Sequence, residues 1–129
     1  GNSSNFLKVA GSDTLDQLSI SEYHGKTKVG PPLHKHPFQD EIFYVLSGTY
    51  LFVCGQDQFT LNAGDMIFLP KDVPHTWAQT TDEGKLLFYF QPAGKMEQFF
   101  NTLGKGNLPE SYDVFKGHEM EVIGPPIQF

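Results

Sequence analysis

The stretch HKHPFQDEIFYVLSG, residues 34–48, decides how the chain folds. Its second half, EIFYVLSG, gathers β-branched and aromatic residues into a short run that stops on Gly48, the signature of a strand with a turn behind it. Its first half sets His34 and His36 two positions apart, with a carboxylate, Glu41, five positions further on. Side chains at i and i+2 of a strand share a face, so both imidazoles can enter one cavity. Glu41 has the opposite parity. It reaches the same cavity only if Pro37 and the residues after it break the register, as a bulge or turn would.

Working outward, the β signal continues on both sides. TYLFVCG reads as the partner of EIFYVLSG, and DQFTLNAG as the next strand, closed by Gly64. DMIFLPKDVPH is a strand interrupted by Pro70 and Pro74, followed by HTWAQT and KLLFYFQP. Upstream, residues 5–10 and 17–23 alternate apolar with polar side chains, as half-buried strands do. GPPLHKHPF carries Pro31, Pro32 and Pro37, so it is expected to be an extended loop or an edge strand, because proline gives a ladder no N–H. Many short strands at regular spacing with turn residues between them form a sandwich or barrel.

The one helix signal follows Pro92. In GKMEQFFNTLG, Met96, Phe99, Phe100 and Leu103 recur at helical spacing before a stop at Gly104. The expected organisation is an all-β domain over residues 1–129, with a barrel core at 17–91, a helix at 93–103 and a tail at 106–129. The tail is read as a loop with a short strand at 119–123, and Asn2–Ser4 as a frayed terminus.

Composition narrows the partners. The formal charge is −6 and there is no arginine, so neither a phosphate backbone nor a bidentate carboxylate grip is provided for, and nucleic acid is not an expected partner. Twelve phenylalanines need a large interior or a pocket to line. No apolar run is long enough for a membrane span, the start lacks the layout of a secretory signal, and the single Cys54 has no internal disulfide partner; a cytoplasmic location is expected.

The second half of the site is His75, in GDMIFLPKDVPHTWAQ. Three imidazoles and one carboxylate suit one divalent transition metal: iron, manganese, nickel, cobalt, copper or zinc. If Glu41 faces inward, Phe43 and Val45 do too, and His75 brings Trp77 and Gln79 with it, giving a largely apolar substrate pocket. A lone histidine is usually a satisfied core or surface residue. Three with a glutamate, each costing about 1–3 kcal/mol if buried unpaired, are satisfied together by a metal.

The two motifs resemble those of the cupin superfamily. HKHPFQDEIFYVLSG is similar to its first motif, H-x-H, x4-E, x6-G, and GDMIFLPKDVPHTWAQ to its second, G-x5-P-x-G-x2-H-x3-N. The shared positions are His34, His36, Glu41, Gly48, Gly64, Pro70 and His75, with weaker likeness at PAGKMEQFF and VIGPPI to small quercetinase-like bacterial cupins. The sequence departs from the pattern at Gly30, a glycine displaced from its usual place, at Asp72, where glycine is common, and at Gln79, where asparagine is common.

The resemblance implies a jelly-roll barrel (a double-stranded β-helix), often a homodimer, with His34, His36, Glu41 and His75 around a central metal and Glu41 taking a proton from the substrate. It points to a metal-dependent dioxygenase acting on a small aromatic, hydroxylated compound. The alternatives are a cupin that only binds a small ligand and, behind it, a sugar isomerase or epimerase. His24 and His118 are read as surface residues, Cys54 as an inert half-buried thiol, and Gln39 and Asp40, beside Glu41, as exposed in preference to a role as hydrogen-bond partners behind the ligand.

Overall fold

The computed structural model describes residues 3–103 and 113–128. Ten strands run β1 (Ser3–Val9), β2 (Ser19–Gly25), β3 (Pro32–Lys35), β4 (Asp40–Ser47), β5 (Thr49–Cys54), β6 (Asp57–Asn62), β7 (Met66–Leu69), β8 (His75–Gln79), β9 (Gly84–Gln91) and β10 (Glu121–Pro126), with helices α1 (Met96–Leu103) and α2 (Asp113–Lys116) before the last strand. They form two five-stranded antiparallel sheets, β1-β2-β9-β4-β7 and β10-β3-β8-β5-β6. This is the jelly roll that the resemblance implies, and it meets the sandwich or barrel expected from the strand spacing.

The strand read in EIFYVLSG sets the core. Glu41, Phe43 and Val45 are buried along β4, and Leu86, Phe88 and Phe90 along β9, while Tyr50 and Phe52 meet them from β5 in the opposite sheet. Burying a ring of this size is worth about 1.5–3 kcal/mol, so these few residues carry much of the drive to fold.

Three expectations are corrected. EIFYVLSG and TYLFVCG are not paired: β4 bonds to β7 and β9, β5 to β6 and β8. Gly48, at φ +83°, turns the chain from one sheet into the other, and a Cβ there would lie 2.7 Å from the Glu83 carbonyl oxygen. The proline-rich segment is no edge strand. It forms β3, between β10 and β8, although its register with β8 is limited to His34 opposite His75, as missing proline N–H groups dictate. Finally, Ser3 and Ser4 belong to β1, paired with Gly25 and His24, and are not frayed.

The strand expected at 119–123 begins at Glu121 and continues to Pro126, and α2 precedes it. The Gly104 stop and the tail at 106–112 lie outside the described residues. Helix α1 forms where the spacing places it and buries Met96 and Phe99. Its start is pinned by Gln39, whose Nε2 donates to the carbonyls of Pro92 (3.0 Å) and Ala93 (2.7 Å). Gln39 is therefore buried at 2% exposure rather than exposed, because two carbonyls of the β9–α1 turn need its donors.

Candidate metal centre

The parity problem of Glu41 is solved by a change of sheet. β3 ends at Lys35, the chain turns at Pro37–Phe38, and β4 starts at Asp40 in the facing sheet. His34 and His36 thus approach from one sheet and Glu41 from the other. His75 arrives on β8 directly across from His34. Two backbone contacts hold the halves together: the Asp72 N–H donates to the His36 carbonyl (2.8 Å), and the Lys71 N–H donates to Asp40 Oδ1 (2.8 Å).

The four side chains are all buried, and one ligand atom from each lies within 4.8 Å of the others. Nε2 of His75 and of His36 approach the same carboxylate oxygen of Glu41, at 3.1 and 3.4 Å. On their outer sides the histidines are oriented by backbone. Nδ1 of His34 donates to the Pro32 carbonyl (2.7 Å) and Nδ1 of His75 to the Val73 carbonyl (3.3 Å), each two residues upstream. Nδ1 of His36 is buried without a hydrogen-bond partner.

That arrangement fits a metal. The tautomers that satisfy Pro32 and Val73 turn the lone pairs of His34 and His75 Nε2 inward, next to a carboxylate, so acceptors face acceptors. Only a proton or a cation resolves this, and a cation does so without breaking either backbone bond. The charge states agree. Burial, reinforced by the neighbouring His75 and His36, holds His34 down at about 3, keeping it neutral and able to coordinate. Burial pushes the Glu41 carboxyl up, but the adjoining imidazoles of His36 and His75 outweigh it and leave the group at about 2, an anion at any working pH.

These values fix how the metal-free protein responds to acid. The folded pKa of His34 lies below its usual 6.5, so its contribution is intact above that value. As pH falls from 6.5 towards 3, only the unfolded chain takes the proton, and stability drops by about 1.4 kcal/mol per pH unit from this group. Glu41, also depressed, adds a further loss between its ordinary range and about 2. Melting temperature of the metal-free protein should therefore fall steadily below pH 6.5, and more gently in His34→Gln. A wild-type profile that stays flat down to pH 4 contradicts this assignment.

A cavity of about 110 Å³ opens onto the cluster. Phe43 and Trp77 line it, as do Phe88 and Phe90 from β9 and Met96, Phe99 and Phe100 from α1. The residues 29–32, Phe115, Met120 and the β1–β2 residues Ser3, Asn5 and Tyr23 complete it. Val45 and Gln79 sit elsewhere. Val45 is closed into the core, and Gln79 is fully buried, accepting from the Tyr50 hydroxyl (3.0 Å) and donating to the carbonyls of Gly25 (3.2 Å) and Thr81 (3.0 Å). It locks β8 to β2 and β5 and forms no pocket wall.

The rings of β9 and α1 escaped assignment to the pocket although their periodicity was readable. Period two puts Phe88 and Phe90 inside, and helical spacing puts Met96 and Phe99 on one face. Nothing in the sequence says that this face covers the barrel mouth. The remaining histidines are both half-buried: His24 pairs with Glu22, and His118 lies against the Phe99 ring at 5.6 Å.

The two unusual turn positions are explained by geometry. Asp72 has φ +65°, a conformation in which glycine is free and aspartate tolerated, and it also pairs with Lys35 at 3.1 Å. Asp72→Gly should change stability by less than about 1 kcal/mol, relief of strain offsetting the added freedom of the unfolded chain, as thermal melting would show. Gly30 is required by close approach: a Cβ on it would sit 1.7 Å from the Trp77 carbonyl oxygen.

The comparisons with known proteins agree with this site. The Cupin domain family matches residues 21–91. Quercetin 2,3-dioxygenase of Bacillus subtilis is 29% identical over 85 residues, covering 66% of this chain and 23% of that protein. An uncharacterized protein of Methanocaldococcus jannaschii is 40% identical over 43 residues, covering 33% of this chain and 34% of that protein. The matched region thus spans about a third or less of either relative. Among solved structures, an RmlC-like cupin from Shewanella frigidimarina superposes with a TM-score of 0.59 at 26% identity, over 66% of this chain and 73% of that one. KdgF from Halomonas sp. superposes with a TM-score of 0.63 at 16% identity, over 70% and 79% of the two chains. Because the family match contains all four cluster residues and runs through the strands that present them, this chain belongs to the Cupin domain family.

Proposed function

We propose that the protein is a metal-dependent dioxygenase acting on a small, hydroxylated aromatic compound. The observation that carries this reading is a three-histidine, one-carboxylate cluster that adjoins a cavity walled by aromatic rings. Likeness to a quercetin dioxygenase over 66% of the chain supports it. His34, His36, Glu41 and His75 would hold one divalent transition metal; when bound, such an ion polarises a coordinated oxygen and lowers the pKa of a coordinated hydroxyl.

The chain's own residues do the rest. Phe43, Trp77 and Phe88 offer flat apolar faces that orient an aromatic substrate and exclude water. Glu41 is the proposed proton acceptor. It is anionic, the charge state a base needs, and the adjoining imidazoles of His36 and His75 help to hold it so. Among the described residues the cavity lining holds no lysine and no carboxylate besides Glu41, which argues against a sugar isomerase needing separate acid and base partners. We include a homodimer in the proposal, since β1 and β10 are edge strands of the two sheets; sedimentation at micromolar concentration tests it.

Oxygen consumption is the test. Protein loaded in turn with iron, manganese, cobalt, nickel, copper and zinc is given flavonols and catechols under an oxygen electrode. Uptake with at least one redox-active metal, lost in Glu41→Gln, is expected. Ligand-dependent thermal stabilisation without uptake under any metal would replace the enzyme with a binding protein.

A further inference from the structure

Resting on the cavity reading above, we propose that the pocket has a second polar end, built by Asn5, which accepts a hydrogen bond from a hydroxyl at the far end of the ligand. The candidate metal centre reaches the cavity through His34, His36 and Glu41. The rest of the lining is apolar, except for a small group on the first two strands: Ser3, Asn5 and Tyr23. Asn5 stands opposite Tyr23 in the β1–β2 register, so both face the interior. The Tyr23 hydroxyl has the Ser3 side chain beside it. Asn5 Oδ1 is buried and has no hydrogen-bond partner among the described residues.

An orphaned buried carbonyl destabilises the fold, and orphans of this kind are rare in folded proteins. One that borders a cavity is explained by a ligand donor. The sheet register gives the ligand's length. Glu41 shares a rung with Phe90, Phe43 with Phe88, and Asn5 reaches the Leu86 rung through Tyr23. Four residues separate Phe90 from Leu86, about 13 Å along the strands at about 3.3 Å per residue, and β1 also stands three strands across the sheet from β4, so the ligand spans at least that length. The middle rung carries Phe43 and Phe88, stacked with ring centroids 5.7 Å apart, and Trp77 packs edge-on against Tyr23 at 5.1 Å. The ligand class is therefore a flat molecule of two or more rings, with a chelating oxygen pair at one end and a hydroxyl at the other. A single-ring catechol would reach the metal and leave Asn5 empty.

Trp77, the chain's one tryptophan, reports on the cavity directly. The zinc-loaded protein, which has no redox chemistry to turn the probe over, is titrated with 3-hydroxyflavone, 3,4′-dihydroxyflavone and 3,7-dihydroxyflavone while Trp77 fluorescence is followed. One of the two dihydroxyflavones should bind about 10-fold more tightly than 3-hydroxyflavone, the effect of one satisfied buried acceptor. Asn5→Leu, of similar volume, should shrink that preference below about twofold without weakening 3-hydroxyflavone, and Asn5→Asp, which still accepts, should restore it. Asn5→Ala serves in place of Asn5→Leu should the latter not fold. If 3-hydroxyflavone binds but neither extra hydroxyl helps, or Asn5→Leu keeps the preference, Asn5 is no ligand contact and the cavity reading survives. If no flavonol quenches Trp77 in the wild type, the proposed function fails with it.

Discussion

His75→Ala should abolish stoichiometric metal binding while leaving the fold in place. His75 is the one histidine supplied by the second motif, and its Nε2 lies 3.1 Å from the Glu41 oxygen on which the His36 Nε2 also converges. Removing an outer hydrogen-bond partner of a ligand commonly costs 10–100-fold in affinity, so deleting a ligand should cost at least about 100-fold. The expected result is roughly one equivalent of metal retained by the wild type against a chromophoric chelator and none by the variant. The wild-type protein should melt at a higher temperature with metal than without it, because binding stabilises only the folded state, and His75→Ala should show no such difference. Equal retention by both proteins would place the metal elsewhere.

The second large effect concerns backbone. Gly30→Ala drives a methyl group into the Trp77 carbonyl oxygen at 1.7 Å, a separation that neither main chain can accommodate in place. Residues 29–32 are sewn onto β8 by Thr76 Oγ1 donating to the Pro31 carbonyl (2.7 Å) and the Gln79 N–H donating to the Val29 carbonyl (3.2 Å). Pushing the segments apart breaks these bonds and opens the cavity wall that carries Trp77. A loss of about 3 kcal/mol or more is expected, at the top of the range for overpacking, with a red-shifted Trp77 emission. Urea unfolding followed by that fluorescence measures both. A loss under about 1 kcal/mol would mean that the close approach is absent in solution.

How much of this could be read from the chain depends on whether the signal was local. The face of β4 was legible because strand parity puts Phe43 and Val45 on the side of Glu41, and the metal set because three histidines and a glutamate stand at a recognisable spacing. Even the need for a register break after Pro37 was visible; that the break is a passage between sheets was not, since parity says only that a turn exists. Strand partners were less legible. Adjacent runs suggest a hairpin, but Gly48 sends β4 and β5 into different sheets, a choice made by long-range packing. Gln39 and Gln79 were misplaced for a related reason: what buries an amide is the set of carbonyls it meets, and those of Pro92, Ala93, Gly25 and Thr81 lie far off in sequence or across a turn. Asn5 was invisible, since an acceptor without a partner has no sequence signature.

The central claim is that one cation binds where the two halves of the sequence meet. Anomalous diffraction at the absorption edge of the bound metal, on crystals of protein purified without a chelating resin, tests it most directly. The prediction is a single peak per chain about 2.0–2.3 Å from a nitrogen of each of His34, His36 and His75 and from a Glu41 oxygen. A peak elsewhere, or a cluster with no anomalous signal and the His75 ring rotated away from Glu41, would contradict it.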